Sequence, residues 1–167
     1  MSVVRYELRE ARLADAAALA PRLRPADKRE VMASHGHRPL SALTHSLRQS
    51  EVAWAGLADG EVMALWGVGS VALIGREGAP WLLGARGLER HKRAFLAFSR
   101  EGLAVMGARY AYLENWVDAR NAFSIRWLRW LGFTLEPAQP YGRFGRPFHR
   151  FWMRTDRMPT QRTETHV

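Results

Sequence analysis

Cysteine is absent from the 167 residues. Its absence excludes disulfides, thiolate nucleophiles and Cys-ligated zinc, and fits a reducing compartment. Lysine is almost absent too. Lys28 and Lys92 are the only two, so the formal net charge of +9 rests on arginine. No apolar run approaches the ~18 residues of a membrane span. The opening Met-Ser-Val-Val-Arg-Tyr-Glu lacks the basic-then-apolar plan of a secretory signal. Repeats and composition blocks are lacking as well. What is present is a 47% apolar chain of the size of one domain, with material for a sizeable core. The expectation is a single α/β domain over residues 1–156 and a flexible polar tail over 157–167.

Periodicity orders the elements. Val3 to Leu8 reads as a strand. Leu13 to Leu23 reads as a helix, with Leu13, Ala16, Ala17, Ala20 and Leu23 at helical spacing. Pro25 opens a second helix, whose positive end suits Asp27 and Glu30. Ser34 to His37 breaks the pattern, and Pro39 to Leu47 is a third helix. Val52 to Leu57 and Glu61 to Val68 form a hairpin through Ala58-Asp59-Gly60. Gly75 to Gly78 reads as a loop and Pro80 to Leu83 as a short strand. A long helix then runs from Leu88 to Met106, with Gly107 as its stop. Tyr110 to Val117 is a strand. The next helix starts at Asp118 or Arg120 and ends at Leu131, before Gly132. Phe133 to Leu135 and Phe148 to Met153 are closing strands, with Gln139 to Pro147 as the loop between them. Hairpins beside one strand–helix–strand crossover point to a mixed sheet.

The segment Leu113 to Phe133 is the most informative. A strand ends near Val117, Asn121 opens a helix, Ser124 follows three residues later, and Gly132-Phe133 closes the helix. This pattern and the element order resemble the GNAT acyltransferase fold over residues 3 to 154. The resemblance implies a mostly antiparallel twisted sheet with flanking helices and a splayed central pair of parallel strands. It also implies acetyl-CoA as co-substrate and transfer of the acetyl group to an amine. Leu82 and Leu83 would present backbone groups to the pantetheine arm. Arg86, Gly87, Leu88 and Arg90 would hold the pyrophosphate, and Asn121 would turn its amide to the arm. Glu114 or Asn115 would face the acceptor, with Glu114 as candidate base.

A narrower resemblance rests on Leu113-x-Asn115-Trp116-Val117-x-x-x-Asn121, on Ile125-Arg126-x-Leu128-Arg129-x-x-Gly132, on Leu23 to Asp27 and on Trp81-Leu82-Leu83. It is to a GNAT-like family of short-tailed bacteriophages that includes an internal virion protein. That implies a place in the bacterial cytoplasm or in the virion, and a virion or host protein as partner.

The chain departs from the wider family twice. Glu89 and His91 stand where small residues would let a diphosphate approach, and Leu128 stands where many GNAT enzymes carry a proton-donating Tyr. Asn121 also fits a plain helix start. His35 and His37 lack a third ligand near them in sequence, so no metal site is expected. Arg143, Arg146, Arg150, Arg154 and Arg157 interleave with aromatic residues as a nucleic-acid surface would, but equally as a half-exposed strand would. The readings carried forward are an acetyltransferase, a GNAT-fold protein that has lost the chemistry, and a nucleic-acid binder, the last the least favoured.

Overall fold

A computed structural model describes residues 3–72 and 74–156. The predicted tail, with Arg157, lies outside them. The first strand, β1, spans Tyr6–Glu10, somewhat later than expected. Helix α1 (Leu13–Leu19) ends in a 3₁₀ turn over Ala20–Arg22, because Pro21 cannot continue the α ladder. Helix α2 (Pro25–His35) starts on its proline and stops at Gly36, whose φ of 70° is left-handed. Helix α3 (Pro39–Gln49) leads into the hairpin β2 (Ser50–Ala58) and β3 (Glu61–Ser70). Asp59 (φ 49°) and Gly60 (φ 82°) make its tight turn.

Strand β4 (Glu77–Gly84) takes in part of the stretch read as a loop, because residues 78–80 extend its pairing with β3. Helix α4 (Lys92–Arg109) is preceded by a 3₁₀ turn over Leu88–His91 and runs through Gly107, since no left-handed residue ends it there. Strand β5 (Tyr112–Asp118), helix α5 (Ala122–Leu131) and strand β6 (Thr134–Leu135) follow. Gly132, at φ 98°, caps α5 as expected. The stretch read as a closing loop is instead a hairpin of β7 (Gln139–Tyr141) and β8 (Arg146–Arg154).

The sheet order is β1-β2-β3-β4-β5-β8-β6, with β7 also on β8. Every pairing is antiparallel except β4 with β5. Strand β3 is the core of the core: residues 62–68 are buried throughout, which is why it reads as a continuous apolar run. Helices α1 and α3 pack on β3 and α4 packs on β2. Trp66 of β3 stacks on Phe98 of α4, and Gly102 of α4 makes room for the indole. A Cβ at 102 would sit 2.7 Å from the Trp66 Nε1. Gly102→Ala therefore gains helix propensity, about 1 kcal/mol, but overpacks a ring that has nowhere to go, a loss of about 1–3 kcal/mol. Urea unfolding should show a net destabilisation of up to about 2 kcal/mol.

Candidate binding site

Strands β4 and β5 pair at only two positions, Glu77 with Tyr112 and Gly78 with Leu113. Beyond them the strands part, and a cavity of about 160 Å³ opens between Pro80–Leu83 and Asn115–Val117. Its walls are mostly apolar, with Trp66, Leu103, Met106, Trp127, Leu128 and Phe151 prominent.

Strand alternation fixes which backbone groups face this opening. The Ala85 N–H donates to the Met63 carbonyl, so Ala85, Leu83 and Trp81 turn their backbone groups to β3. Pro80, Leu82 and Gly84 turn theirs to the gap. On β5, the Ala119 N–H donates to the Pro147 carbonyl of the strand β8 side, which leaves Trp116 and Asp118 facing the gap. Leu83, expected as a docking residue, has its peptide groups in the β3 ladder. Leu82 faces the opening.

The chain's own side chains close most of this parted edge. At the narrow end, Asn115 acts as an inserted peptide: its Nδ2 donates to the Pro80 carbonyl (3.0 Å) and its Oδ1 accepts from the Trp116 N–H (2.9 Å). At the wide end, the segment between α1 and α2 lies on β4. The Arg24 N–H donates to the Gly84 carbonyl (2.9 Å) and the Arg86 N–H to the Arg22 carbonyl (2.8 Å). The Gly84 N–H donates to Asp27 Oδ2 (2.9 Å). Asn121 completes the closure from the other side. Its Nδ2 donates to Asp27 Oδ1 (3.1 Å) and Glu30 Oε2 (3.0 Å), and its Oδ1 accepts from Arg24 Nη2 (3.0 Å) and the Ser124 N–H (3.3 Å). Glu30 Oε2 also accepts the Asp118 N–H (3.0 Å).

Asn121 and the turn after Leu83 do therefore flank one opening, but Asp27 joins them across it. The Asn121 amide, expected to turn to an arm, is 1% exposed here and bound by the chain at both its ends. The turn is bonded within the chain as well. The Leu88 N–H donates to the Ala85 carbonyl and the Arg90 N–H to the Gly87 carbonyl, so with Arg86 three of its expected donors are spent internally. Gly87, at φ 83°, makes that bend.

The closure is electrostatically tight. Asp27 is 1% exposed, and Arg24, also buried, stands 3.7 Å from it over the Phe123 ring. Burial raises the Asp27 carboxyl against the opposing pull of Arg24, the Gly84 N–H and Asn121. Glu30, on the cavity wall, is pushed up to about 8 by burial and by Asp27. At neutral pH Glu30 therefore keeps its proton.

Glu114 is not part of the opening. It pairs with Arg150, which also binds Glu136 (2.7 Å) and the Tyr112 hydroxyl (2.8 Å). That hydrogen bond holds the Glu114 carboxyl below its usual range, which is the wrong direction for a base at neutral pH. Asn115 lines the cavity, but as the bridge described above. Leu128 is buried in the wall and has no proton to give.

The other signals also resolve. Arg150 and Arg154 are neutralised, the latter by Asp156, and Phe148 and Phe151 are buried. The arginine–aromatic run is a sheet strand more than a nucleic-acid surface. The His37 ring lies between those of His35 and His45 of α3, with centroid distances of 5.7 and 5.3 Å. Among the described residues no three such side chains are arranged to hold a metal ion. No helix is long and apolar enough to cross a membrane.

No family model matches the chain, and no curated protein matches it in sequence. Solved structures do match. The ribosomal-protein-S18-alanine N-acetyltransferase of Escherichia coli superposes with a TM-score of 0.66 at 14% identity, over 94% of this chain and 98% of that one. A GNAT-family acetyltransferase of Streptococcus pneumoniae gives 0.63 at 12%, over 90% and 99%. YncA of Salmonella typhimurium, solved with its cofactor acetyl-CoA, gives 0.58 at 16%, over 92% and 95%. The fold is that of the GNAT acetyltransferases. Within it, this chain's residues do not fit the coenzyme as the GNAT pattern would hold it. An arm paired along β4 meets Asp27 and the Arg24 peptide already seated at Gly84, and the turn offers few spare donors.

The residues missed in sequence are Arg24, Asp27 and Glu30. A spacing of three puts Asp27 and Glu30 on one side of the α2 start, but their partners Gly84 and Asn121 lie far along the chain.

Proposed function

We propose that this chain keeps the GNAT fold without GNAT chemistry, and serves as a binding protein. The observation that carries this reading is Gly84. Both of its gap-facing peptide groups are bonded by the chain itself, at the place where an acyl-coenzyme A arm would pair. Glu114 and Leu128 agree with it, since Glu114 is held by Arg150 with a lowered pKa and Leu128 has no proton to donate. The resemblance to the phage family with an internal virion protein is consistent with a virion component or a binder of a host protein. A net charge of +9 favours an acidic partner in association.

Acetyl transfer to an amine is the second reading. It is favoured by the fold likeness across nearly the whole chain and by the gap-facing peptide of Leu82. Thermal melting separates the two. With millimolar acetyl-CoA the melting temperature should not move. A ligand at 100 times its Kd would add about 2.7 kcal/mol, and such a shift would restore the transferase reading.

A further inference from the structure

Helices α4 and α5 lie side by side. The Phe95 ring of α4 stands 6.0 Å from that of Phe123 and 5.5 Å from that of Trp127, whose Nε1 donates to Ser99 Oγ (3.1 Å). Further along both helices, the Arg100 guanidinium lies 4.4 Å over the Trp130 ring. The contacts climb α4 and α5 together, so their outer sides form one continuous surface. Arg93 is seven residues before Arg100 and shares its side of α4, and Arg126 is four before Trp130 and shares its side of α5. Arg129 stands next to Trp130. All of these are exposed, the indole by 42%.

Among the described residues, none of these arginines makes an ion pair, whereas Arg9, Arg22, Arg120, Arg150 and Arg154 each have a carboxylate partner. The acids nearest in sequence are Glu89, which precedes α4, and Glu101, about a quarter turn round α4 from Arg100. Neither pairs with them. Cations gathered without counter-ions repel one another, and a polyanion relieves that repulsion. The guanidinium fork matches phosphate oxygens in pairs. An exposed indole beside such cations offers a stacking face to an unpaired base of any sequence. An acidic polypeptide would meet the arginines but has no counterpart for the indole.

We infer that the outer α4–α5 face docks single-stranded nucleic acid, with Arg93, Arg100, Arg126 and Arg129 on its phosphates and Trp130 against one base. The surface is distinct from the arginine run of the β7–β8 hairpin. The inference rests on the reading of the chain as a binding protein with an acidic partner, and it names that partner's chemistry.

The test is fluorescence anisotropy of a labelled single strand of about 20 nucleotides, longer than one such site, titrated with the full chain. Affinity should fall roughly 50-fold between about 50 and 200 mM salt, as four phosphate contacts on a single strand require. With Arg126→Ala and Arg129→Ala combined, that fall should shrink to roughly sevenfold. Trp130→Ala should weaken binding about tenfold and leave the salt dependence unchanged. Arg143→Ala with Arg146→Ala removes the same charge from exposed positions elsewhere and should change the salt dependence little. The inference is overturned if anisotropy does not rise at the lower salt, if the hairpin pair costs as much as the helix pair, or if Trp130→Ala binds as the parent does. It is overturned equally if poly-glutamate binds as tightly as the oligonucleotide, which would make the partner an acidic polypeptide. The two readings fail separately. A melting shift with acetyl-CoA would overturn the loss of GNAT chemistry and leave this surface standing, whereas silence from the oligonucleotide would overturn this surface and leave the closed edge standing.

Discussion

Asp27→Ala should destabilise the fold by about 3–5 kcal/mol, the range for removing one partner of a buried ion pair. Arg24 loses its counter-ion, the Gly84 N–H its acceptor and the Asn121 amide one of its two acceptors. None can turn to water, because Arg24 and Asn121 are themselves buried and Arg24 Nη1 already lacks a partner. Against a total stability of roughly 5–15 kcal/mol this is a large share. For a chain of this length it corresponds to a fall in Tm of about 6–20 °C. Asp27→Asn keeps the shape and one acceptor, so its loss should be clearly smaller. Chemical denaturation of the two variants beside the parent protein reads this directly. A loss under about 1 kcal/mol in the alanine variant would mean that Asp27 is not the joint between β4 and α5.

The same joint explains what the sequence could and could not convey. The hairpin at Asp59-Gly60, the proline start of α2 and the Gly132 cap are local. Each is set by residues within one turn of the feature, so they are readable in order along the chain. The Asn121–Ser124–Gly132 spacing is local too, and it carried the fold. The closure of the gap is not local. Asp27 meets Gly84 at a separation of 57 residues and Asn121 at 94. Read alone, Asp27 and Glu30 are acidic residues suited to the positive end of a helix, and nothing nearby marks them as partners of a strand edge. The turn after Leu83 misled in the opposite sense. Its arginines and glycines look like an anion cradle, but its amides are spent on Arg22, Ala85 and Gly87. The extension of α4 past Gly107 has a simpler reason. A glycine stops a helix only where the chain takes a positive φ, and here it continues as helix.

Glu30 makes the closure sensitive to alkali. Its carboxyl is pushed up to about 8 in the folded protein, by burial first and by Asp27 second, against an ordinary value near 4.5. Between these values the folded state holds a proton that the unfolded chain has released. Stability must then fall as pH rises through that window, and level off above it. The sign is opposite to that of Asp15, whose carboxyl is lowered by its hydrogen bond to Arg9 and loses its contribution in acid. Above pH 8 Glu30 becomes an anion beside Asp27, whose ion-pair partner is Arg24. The loss between pH 5 and 9 should be on the order of 3–5 kcal/mol. Glu30→Gln keeps an oxygen to accept from Asn121 and the Asp118 N–H and has nothing to titrate. It should match the parent protein near pH 4.5, pull ahead steadily as the pH rises, and exceed it by several degrees in Tm at pH 9. Parallel melting curves for the two proteins across that range would show that Glu30 is ionised without penalty, and that the wide end of the gap is wetter than its hydrogen bonds imply.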